Sequence, residues 1–209
     1  YTDTSDYDYR GVFVHATSSL LRIGVPKPSD TSWIENEKHE QGQKADATAW
    51  ELGHFLQLAL QCNPTILEVF CAPIVESTPE GKQLRELFPH ILDSERIKTA
   101  FLGYAHNQRK KLFDNKDNKQ WKYASSYLRV LHQGHVLLCT GILPVDLRAS
   151  YIHGKLMSVR EGIVPRGVII DSAYDYERKI KESPSLFTQI LEPINEFLLQ
   201  VRKDYWEEK

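Results

Sequence analysis

Residues 5–14 have the sequence SDYDYRGVFV, in which two aspartates lead into a run of β-branched and aromatic residues. The run, taken over residues 9–16, predicts a β-strand. Because residues i and i+2 of a strand point to the same face, Asp6 and Asp8 are expected to present two carboxylates side by side. Such oxygen ligands suit Mg²⁺, which binds one or two carboxylates and leaves its other positions to water and phosphate oxygens. The D-x-D spacing is common, so an acidic loop near the chain end is the other interpretation.

The rest of the chain divides by pattern into a short α/β part and a longer helical part. Residues 47–61 carry apolar side chains at intervals of three and four, which predicts an amphipathic helix. Residues 65–71 are apolar and fit either a strand or a buried helical turn. Beyond a stretch rich in Pro, Gly and Ser, the pattern is helical almost to the end. The predicted helices there are 81–88, 94–113, 121–140, 145–160, 171–182 and 185–206. We therefore predict two domains, at 1–75 and 76–209.

Composition limits the class of protein. The 209 residues carry a net charge of -2, so any binding of nucleic acid must come from local basic patches. The three cysteines, Cys62, Cys71 and Cys139, are odd in number and lack CxxC spacing, which argues against a disulfide framework or a structural zinc site. They are expected to be buried, inert thiols in a reducing compartment. No apolar run approaches the roughly 18 residues of a membrane span, and no signal peptide is evident, so a cytoplasmic location without membrane partners is expected.

The densest basic stretch, residues 108–129, is called the basic segment below. Its cations are Arg109, Lys110, Lys111, Lys116, Lys119, Lys122 and Arg129, and Trp121, Tyr123 and Tyr127 lie among them. Cations for phosphates and aromatic faces for bases are typical of proteins that bind nucleotides or single-stranded nucleic acid. A charge-rich exposed turn between two helices is the other interpretation.

Other polar side chains have both a structural and a functional interpretation. Arg10 follows Asp8 on the outward face and can either reach a phosphate or pair with Asp8. Glu68 interrupts an apolar run, so a structural role with a polar partner is expected. His132 and His135 lie three residues apart on a predicted helix, but no HEXXH motif or third ligand accompanies them, so they are interpreted as surface or core histidines.

Three blocks of the chain carry a more specific signal. They are YTDTSDYDYRGVFV, DATAWELGHFLQLALQCNPTILEVF and LRVLHQGHVLLCTG, which cover most of residues 1–141, and REG at 160–162 adds to them. Together these blocks resemble the predicted nucleotidyltransferase family associated with RNA ligases in phages and bacteria, a branch of the DNA polymerase β superfamily. The resemblance implies an α+β fold, in which a polymerase-β-type core of a small mixed sheet with helices precedes a helical C-terminal part.

The same resemblance implies a set of site residues. In that superfamily a Gly-Ser pair at a helix start holds the nucleotide phosphates, a D-x-D pair binds two Mg²⁺ ions, or Mn²⁺, and a later strand supplies a third acid. By this resemblance Asp6 and Asp8 are the D-x-D pair and Asp46 is the third catalytic, metal-binding acid. The Gly-Ser pair would lie upstream of the first residue, so a preceding segment is expected. Asp is also a favoured helix N-cap, which is the alternative for Asp46; Glu51 and Glu37 are the other candidates for the third acid.

The function implied is transfer of a nucleoside monophosphate from an NTP to a hydroxyl acceptor. The basic segment and the association with RNA ligases favour an RNA end as the acceptor, while a protein hydroxyl or a small molecule remains open. The active cleft is expected between the two predicted domains, walled by the Asp6–Asp8 strand and by helices around 104–129. The residues expected to bind substrate are Arg10, Arg109, Lys110, Lys111, Lys122 and Arg129.

Two rival functions remain. One is a non-catalytic nucleic-acid-binding or regulatory module that retains the fold, and the other is a metal-dependent phosphohydrolase. The family carries a Ser-His pair in the helix after the basic segment, where this chain has Ser125 and Ser126. No catalytic role is therefore assigned to that helix.

Overall fold

The computed structural model describes residues 7–31, 45–114 and 116–207, and the structural statements below concern these ranges. The fold is α+β, with three short strands followed mostly by helices. The strands are β1 (Tyr7–Phe13), β2 (Ser29–Asp30) and β3 (Ala45–Glu51). The helices are α1 (Thr17–Leu20), α2 (Leu52–Leu60), α3 (Pro64–Cys71), α4 (Pro79–Glu86), α5 (Phe88–Ile91), α6 (Ser94–Asp114), α7 (Gln120–Thr140), α8 (His153–Arg160), α9 (Arg166–Glu182) and α10 (Leu191–Asp204). None of these helices combines the length and the apolar character that a bilayer crossing requires.

The sheet has the order β1-β3-β2, with β1 parallel and β2 antiparallel to the central strand β3. A small mixed sheet that precedes a helical C-terminal part confirms the predicted α+β class. The register places Asp8 beside Asp46 and Phe13 beside Glu51. The two long strands therefore run side by side over their whole length.

The helix predicted at 47–61 is wrong in its first third, because residues up to Glu51 belong to β3 and the helix begins at Leu52. Burial alternates along this strand, with Ala47, Ala49 and Glu51 buried and the residues between them half-buried. Pairing with β1 outweighs the helix propensity of the alanines. Asp46 is consequently not a helix N-cap. That role belongs to Glu51, whose Oε2 accepts a hydrogen bond from the Gly53 amide at 2.7 Å.

The apolar run at 65–71 is helical, which decides between its two interpretations. Asn63 caps α3, since its Oδ1 accepts from the amide of Thr65 at 3.0 Å, and Ile66, Leu67 and Phe70 face the core.

The helices predicted at 94–113 and 121–140 are confirmed almost to the residue. The last one, predicted at 185–206, begins only at Leu191. The segment before it uses its amides elsewhere: Phe187 N donates to Ser94 Oγ at 2.9 Å and Ile190 N donates to His90 O at 3.0 Å. The helix predicted at 145–160 likewise starts only at His153.

Buried side chains from the helices form one apolar cluster. It joins residues from both sides of the predicted domain boundary at 75/76, including Phe55 and Ile66 on one side and Phe101 and Tyr127 on the other. The helix pair α6 and α7 supplies much of its centre. The division into two domains stays a prediction.

The three cysteines are free and differ in exposure. Cys62 is buried, Cys71 is half-buried and Cys139 is exposed. Burial raises the pKa of the Cys62 thiol to about 11, against the lowering effect of its contact with the Asp93 carbonyl. The expected burial is therefore confirmed for Cys62 and wrong for Cys139.

We expect N-ethylmaleimide to modify Cys139 in the folded protein at about pH 8 and to spare Cys62, because the reagent attacks accessible thiolates. Peptide mapping by mass spectrometry measures both sites, and labelling in denaturant, where both should react, is the control. Equal rates at the two cysteines under native conditions would contradict the described burial.

Candidate active site

Two of the three predicted acids occupy adjacent positions on parallel strands. Asp8 of β1 and Asp46 of β3 are register partners, and neighbouring strands lie about 4.8 Å apart. The Asp8 side chain is 66% exposed, so a ligand can reach it. We call Asp8 and Asp46 the acid pair. Asp6 lies outside the described residues, so its placement on the same face as Asp8 stays a prediction.

The far ends of the same two strands are anchored in the core. Val12 and Trp50 are register partners, and both pack against the apolar cluster. The Trp50 ring lies 6.4 Å from the Phe55 ring, which is 1% exposed. The acid pair is four residues, or about 13 Å, from this anchored end. A half-buried sheet that packs on the core at one end therefore carries the exposed Asp8 at the other.

Arg10 lies beside Asp8. Its Nη2 is 3.6 Å from Asp8 Oδ1, and its Nη1 donates to the carbonyl of Tyr9 at 2.9 Å. This contact supports the interpretation of Arg10 as a partner of Asp8, and it also places a guanidinium at the acid pair.

The donor types at the acid pair fit a hard divalent cation. Carboxylate oxygens are the ligands that Mg²⁺ and Mn²⁺ prefer, whereas softer metals prefer thiolates or imidazoles. Within the described ranges no group of three or more His, Cys, Asp and Glu side chains is arranged to hold a metal ion. Of the three predicted acids, Asp8 is described with its side chain and Asp46 by its backbone in β3. The described geometry thus supplies one exposed carboxylate and the backbone position of a second.

Glu51, one of the alternatives for the third acid, has a structural role instead. It is 5% exposed, and its Oε1 lies 2.7 Å from Nη1 of Arg202 on α10. A carboxylate that is buried, caps α2 and is paired with an arginine is not available to a metal, so that alternative is wrong. Glu37, the other alternative, lies outside the described residues.

Glu68 connects α3 with α7. Its Oε1 accepts a hydrogen bond from Gln133 Nε2 at 3.2 Å and lies 3.8 Å from Arg129 Nη2. Gln133 is buried and also donates to the carbonyl of Pro144 at 2.9 Å. The expectation that Glu68 has a polar structural partner is confirmed. A substrate-binding role for Arg129 stays a prediction.

The basic segment spans the end of α6 and the start of α7, and two of its cations lie against aromatic rings. Arg109 Nη2 donates to Tyr174 Oη at 2.7 Å, and the guanidinium lies 5.1 Å from the centroid of that ring and 5.9 Å from that of Phe113. Lys111 Nζ lies 5.6 Å from the Tyr123 ring centroid. The interleaving of cations and rings in the sequence thus corresponds to contacts in space. Lys110 and Lys122 are exposed on the same two helices.

The histidine pair on α7 has a structural environment. His132 is 2% exposed, and its Nδ1 is 3.3 Å from Tyr176 Oη. Burial lowers the pKa of His132 and of His135. The interpretation of His132 as a core histidine is confirmed.

Two of the contacts described above are not predicted by any sequence pattern. Tyr174 meets Arg109 across 65 residues, and Arg202 meets Glu51 across a still longer interval. Neither lies in a motif or at a helical spacing from its partner. A contact between distant segments of a single sequence leaves no periodicity by which to find it.

The model of the RNA repair pathway DNA polymerase beta family matches residues 1–161, a span that contains β1, β3 and the helix pair α6 and α7. No curated protein and no solved structure matches the chain in the corresponding comparisons. The matched span covers most of the chain, and it confirms the resemblance carried by the three sequence blocks.

Proposed function

Since this chain belongs to the RNA repair pathway DNA polymerase beta family, we propose that it is a metal-dependent nucleotidyltransferase that moves a nucleoside monophosphate from an NTP to a hydroxyl acceptor. Membership of a polymerase-β-type family supports a nucleotidyltransferase role in general. The observation that carries the proposal for this chain is the register of β1 and β3. It places Asp8 and Asp46 side by side at the end of the strands away from the buried core.

In the proposed mechanism Asp8 and Asp46, with Asp6, would hold two Mg²⁺ ions, which would neutralise the charge of the triphosphate and lower the pKa of the acceptor hydroxyl. The carboxylates alone repel a free triphosphate, so the site selects the metal–nucleotide complex over the bare nucleotide. Because the strands are anchored at their other end, the acids keep their separation as substrate binds, and positioning supplies much of the rate.

The acceptor we propose is an RNA end. Three carboxylates repel the phosphates of an incoming strand, so cations must approach from elsewhere, and the basic segment has the most of them. Arg109 and Lys111 are already held against rings, which reduces the side-chain entropy lost when they bind phosphate. Exposed Phe113 and Tyr174 offer faces on which bases can stack.

Product analysis tests the proposed reaction. The full-length protein is incubated with Mg²⁺, RNA oligonucleotides and each NTP labelled at its α-phosphate. A transferase leaves the label on the RNA and releases pyrophosphate, and omission of RNA tests for labelling of protein or small molecules. Release of all label as free nucleotide would instead identify a phosphohydrolase, and unchanged NTP under every condition would favour a non-catalytic module.

The double variant Lys110→Glu, Lys111→Glu is expected to weaken RNA binding by about tenfold or more and to flatten its salt dependence. Each phosphate contact on a single strand contributes about 0.7 to the slope of log K against log salt, so two lost contacts lower the slope by about 1.4. NTP affinity should change much less. Fluorescence anisotropy with labelled RNA at several KCl concentrations measures both quantities.

The matched control is Lys82→Glu with Lys181→Glu, which changes net charge by the same amount on α4 and at the C-terminal end of α9. It should leave the salt slope close to that of the wild type. An unchanged RNA affinity and slope in the Lys110, Lys111 variant would exclude the basic segment as the RNA-binding surface.

A further inference from the structure

The last turn of α10 and the residues after it are hydrogen-bonded to the segment that follows β1. Thr17 Oγ1 donates to the carbonyl of Arg202 at 2.7 Å, and the Thr17 amide donates to the carbonyl of Tyr205 at 2.8 Å. The Ser18 amide donates to the carbonyl of Trp206 at 3.0 Å. Residues 202–206 are therefore bonded to the segment just after β1, although these residues lie outside the span matched by the family model.

The side chain of Arg202 also contacts Glu51, the last residue of β3. Its Nη1 and Oε1 of Glu51 lie 2.7 Å apart, both atoms are buried, and neither has a hydrogen-bond partner elsewhere among the described residues. Residue 53 is a glycine, and a Cβ there would lie 2.9 Å from Arg202 Nη2, so the guanidinium lies directly against the first turn of α2. A buried ion pair adds little net stability over well-packed apolar groups, so positional specificity is the better account of its placement.

This contact lies on the same two strands as the acid pair. Phe13 and Glu51 form the last register pair, and Asp8 and Asp46 lie five residues earlier on their respective strands. A slip of one residue between paired strands would turn every side chain of one of them to the opposite face. A contact that fixes both strand exits therefore also fixes the relative position of the acids.

We propose that Arg202 is a positioning residue: by clamping Glu51 at the end of β3, beside the exit of β1, it holds the parallel register that places Asp8 next to Asp46. The effect on strand register stands on the contacts alone. Its consequence for metal binding rests on the proposed function.

The test compares wild type, Arg202→Gln and the control Arg178→Gln in the full-length protein. Arg178 forms an exposed ion pair with Asp175 on α9, so its variant makes the same chemical change away from the sheet. Hydrogen exchange of β1 and β3, measured without metal, reports how stably the two strands stay paired. Binding of Mn²⁺, measured by the loss of its free electron paramagnetic resonance signal, reports the acid pair in the folded fraction.

For Arg202→Gln we expect faster amide exchange in β3 and β1. The Mn²⁺ dissociation constant should rise about tenfold, as it does when a group that orients a metal ligand is removed. Arg178→Gln should match wild type in both, and Arg202→Lys should restore part of the Mn²⁺ affinity. A purely structural role would lower the melting temperature and the bound fraction while leaving the dissociation constant unchanged, and that result would overturn the proposal.

A second variant covers the case in which Arg202→Gln does not fold. Gly53→Ala leaves every charge in place, and its added Cβ, 2.9 Å from Arg202 Nη2 and 3.2 Å from Glu51 Oε2, forces a shift between the guanidinium and the carboxylate. This variant should also speed exchange in β1 and β3 and raise the Mn²⁺ dissociation constant, each by less than Arg202→Gln does. Exchange rates and Mn²⁺ affinity equal to those of the wild type would overturn the positioning role. If the wild type itself binds no Mn²⁺, the proposed function fails, while the exchange of β3 still decides whether Arg202 holds the strand.

Discussion

The Asp8→Asn variant is expected to lose on the order of a thousandfold in kcat for nucleotidyl transfer while remaining folded. The amide has nearly the shape of the carboxylate but lacks its charge, so it is a poor ligand for Mg²⁺. Because Asp8 is exposed and its contact with Arg10 is an exposed ion pair, the free energy of unfolding should change by no more than about 0.5 kcal/mol. Asp46→Asn is expected to give a loss of the same order.

Single-turnover transfer of labelled nucleotide to RNA measures the rate, and thermal melting measures the fold. Asp171→Asn, an exposed aspartate on α9, is the matched control and should transfer at the wild-type rate. If Asp8→Asn and Asp171→Asn retain similar activity, Asp8 is not a metal ligand.

The second large effect concerns stability: Gly134→Ala is expected to destabilise the fold by about 2 kcal/mol. Gly134 lies on α7 against Phe101 of α6, and both are buried. An added Cβ would lie 2.7 Å from Phe101 Cδ1, 2.9 Å from Cγ and 3.0 Å from Cβ. Overpacking costs about 1–3 kcal/mol, and contacts that include Cβ and Cγ of Phe101 put this case at the upper end of that range. Subtracting the roughly 1 kcal/mol that alanine gains in helix propensity leaves a net cost of about 2 kcal/mol.

The same substitution on the facing helix has the opposite expected sign. Gly103 of α6 is exposed, and a Cβ there would meet nothing within 4 Å. Gly103→Ala should therefore gain about 0.5–1 kcal/mol from helix propensity and reduced freedom of the unfolded chain. In thermal melting we expect a decrease of about 4–8 °C for Gly134→Ala and a small increase for Gly103→Ala. A rise in both would show that α6 and α7 are not packed as described.

The features that could be predicted from the sequence were those set by residues close together along the chain. The periodic apolar residues of α6 and α7 predict both helices, because a helix buries one face at a fixed spacing whatever it packs against. The strand β3 was missed for the converse reason. Its alanines favour a helix, and only pairing with β1 makes this segment a strand.

The same contrast between local sequence signals and long-range strand pairing applies to the candidate active site. The D-x-D spacing and the family resemblance single out Asp8, but the position of Asp46 beside it follows from a strand register that no spacing records. The assignment of Asp46 rested on the resemblance, with a helix cap as its rival, and its place within β3 excludes the cap. Glu51 was a candidate acid, but its contact with Arg202 and its cap on α2 give it a structural environment that no sequence pattern shows.

Anomalous diffraction from crystals of the full-length protein grown with Mn²⁺ and a non-hydrolysable NTP locates metal and nucleotide together. We expect anomalous peaks bonded to carboxylate oxygens of both Asp8 and Asp46, with the triphosphate oxygens on the same ions. A nucleotide bound elsewhere on the chain, or metal peaks that touch neither Asp8 nor Asp46, would contradict it.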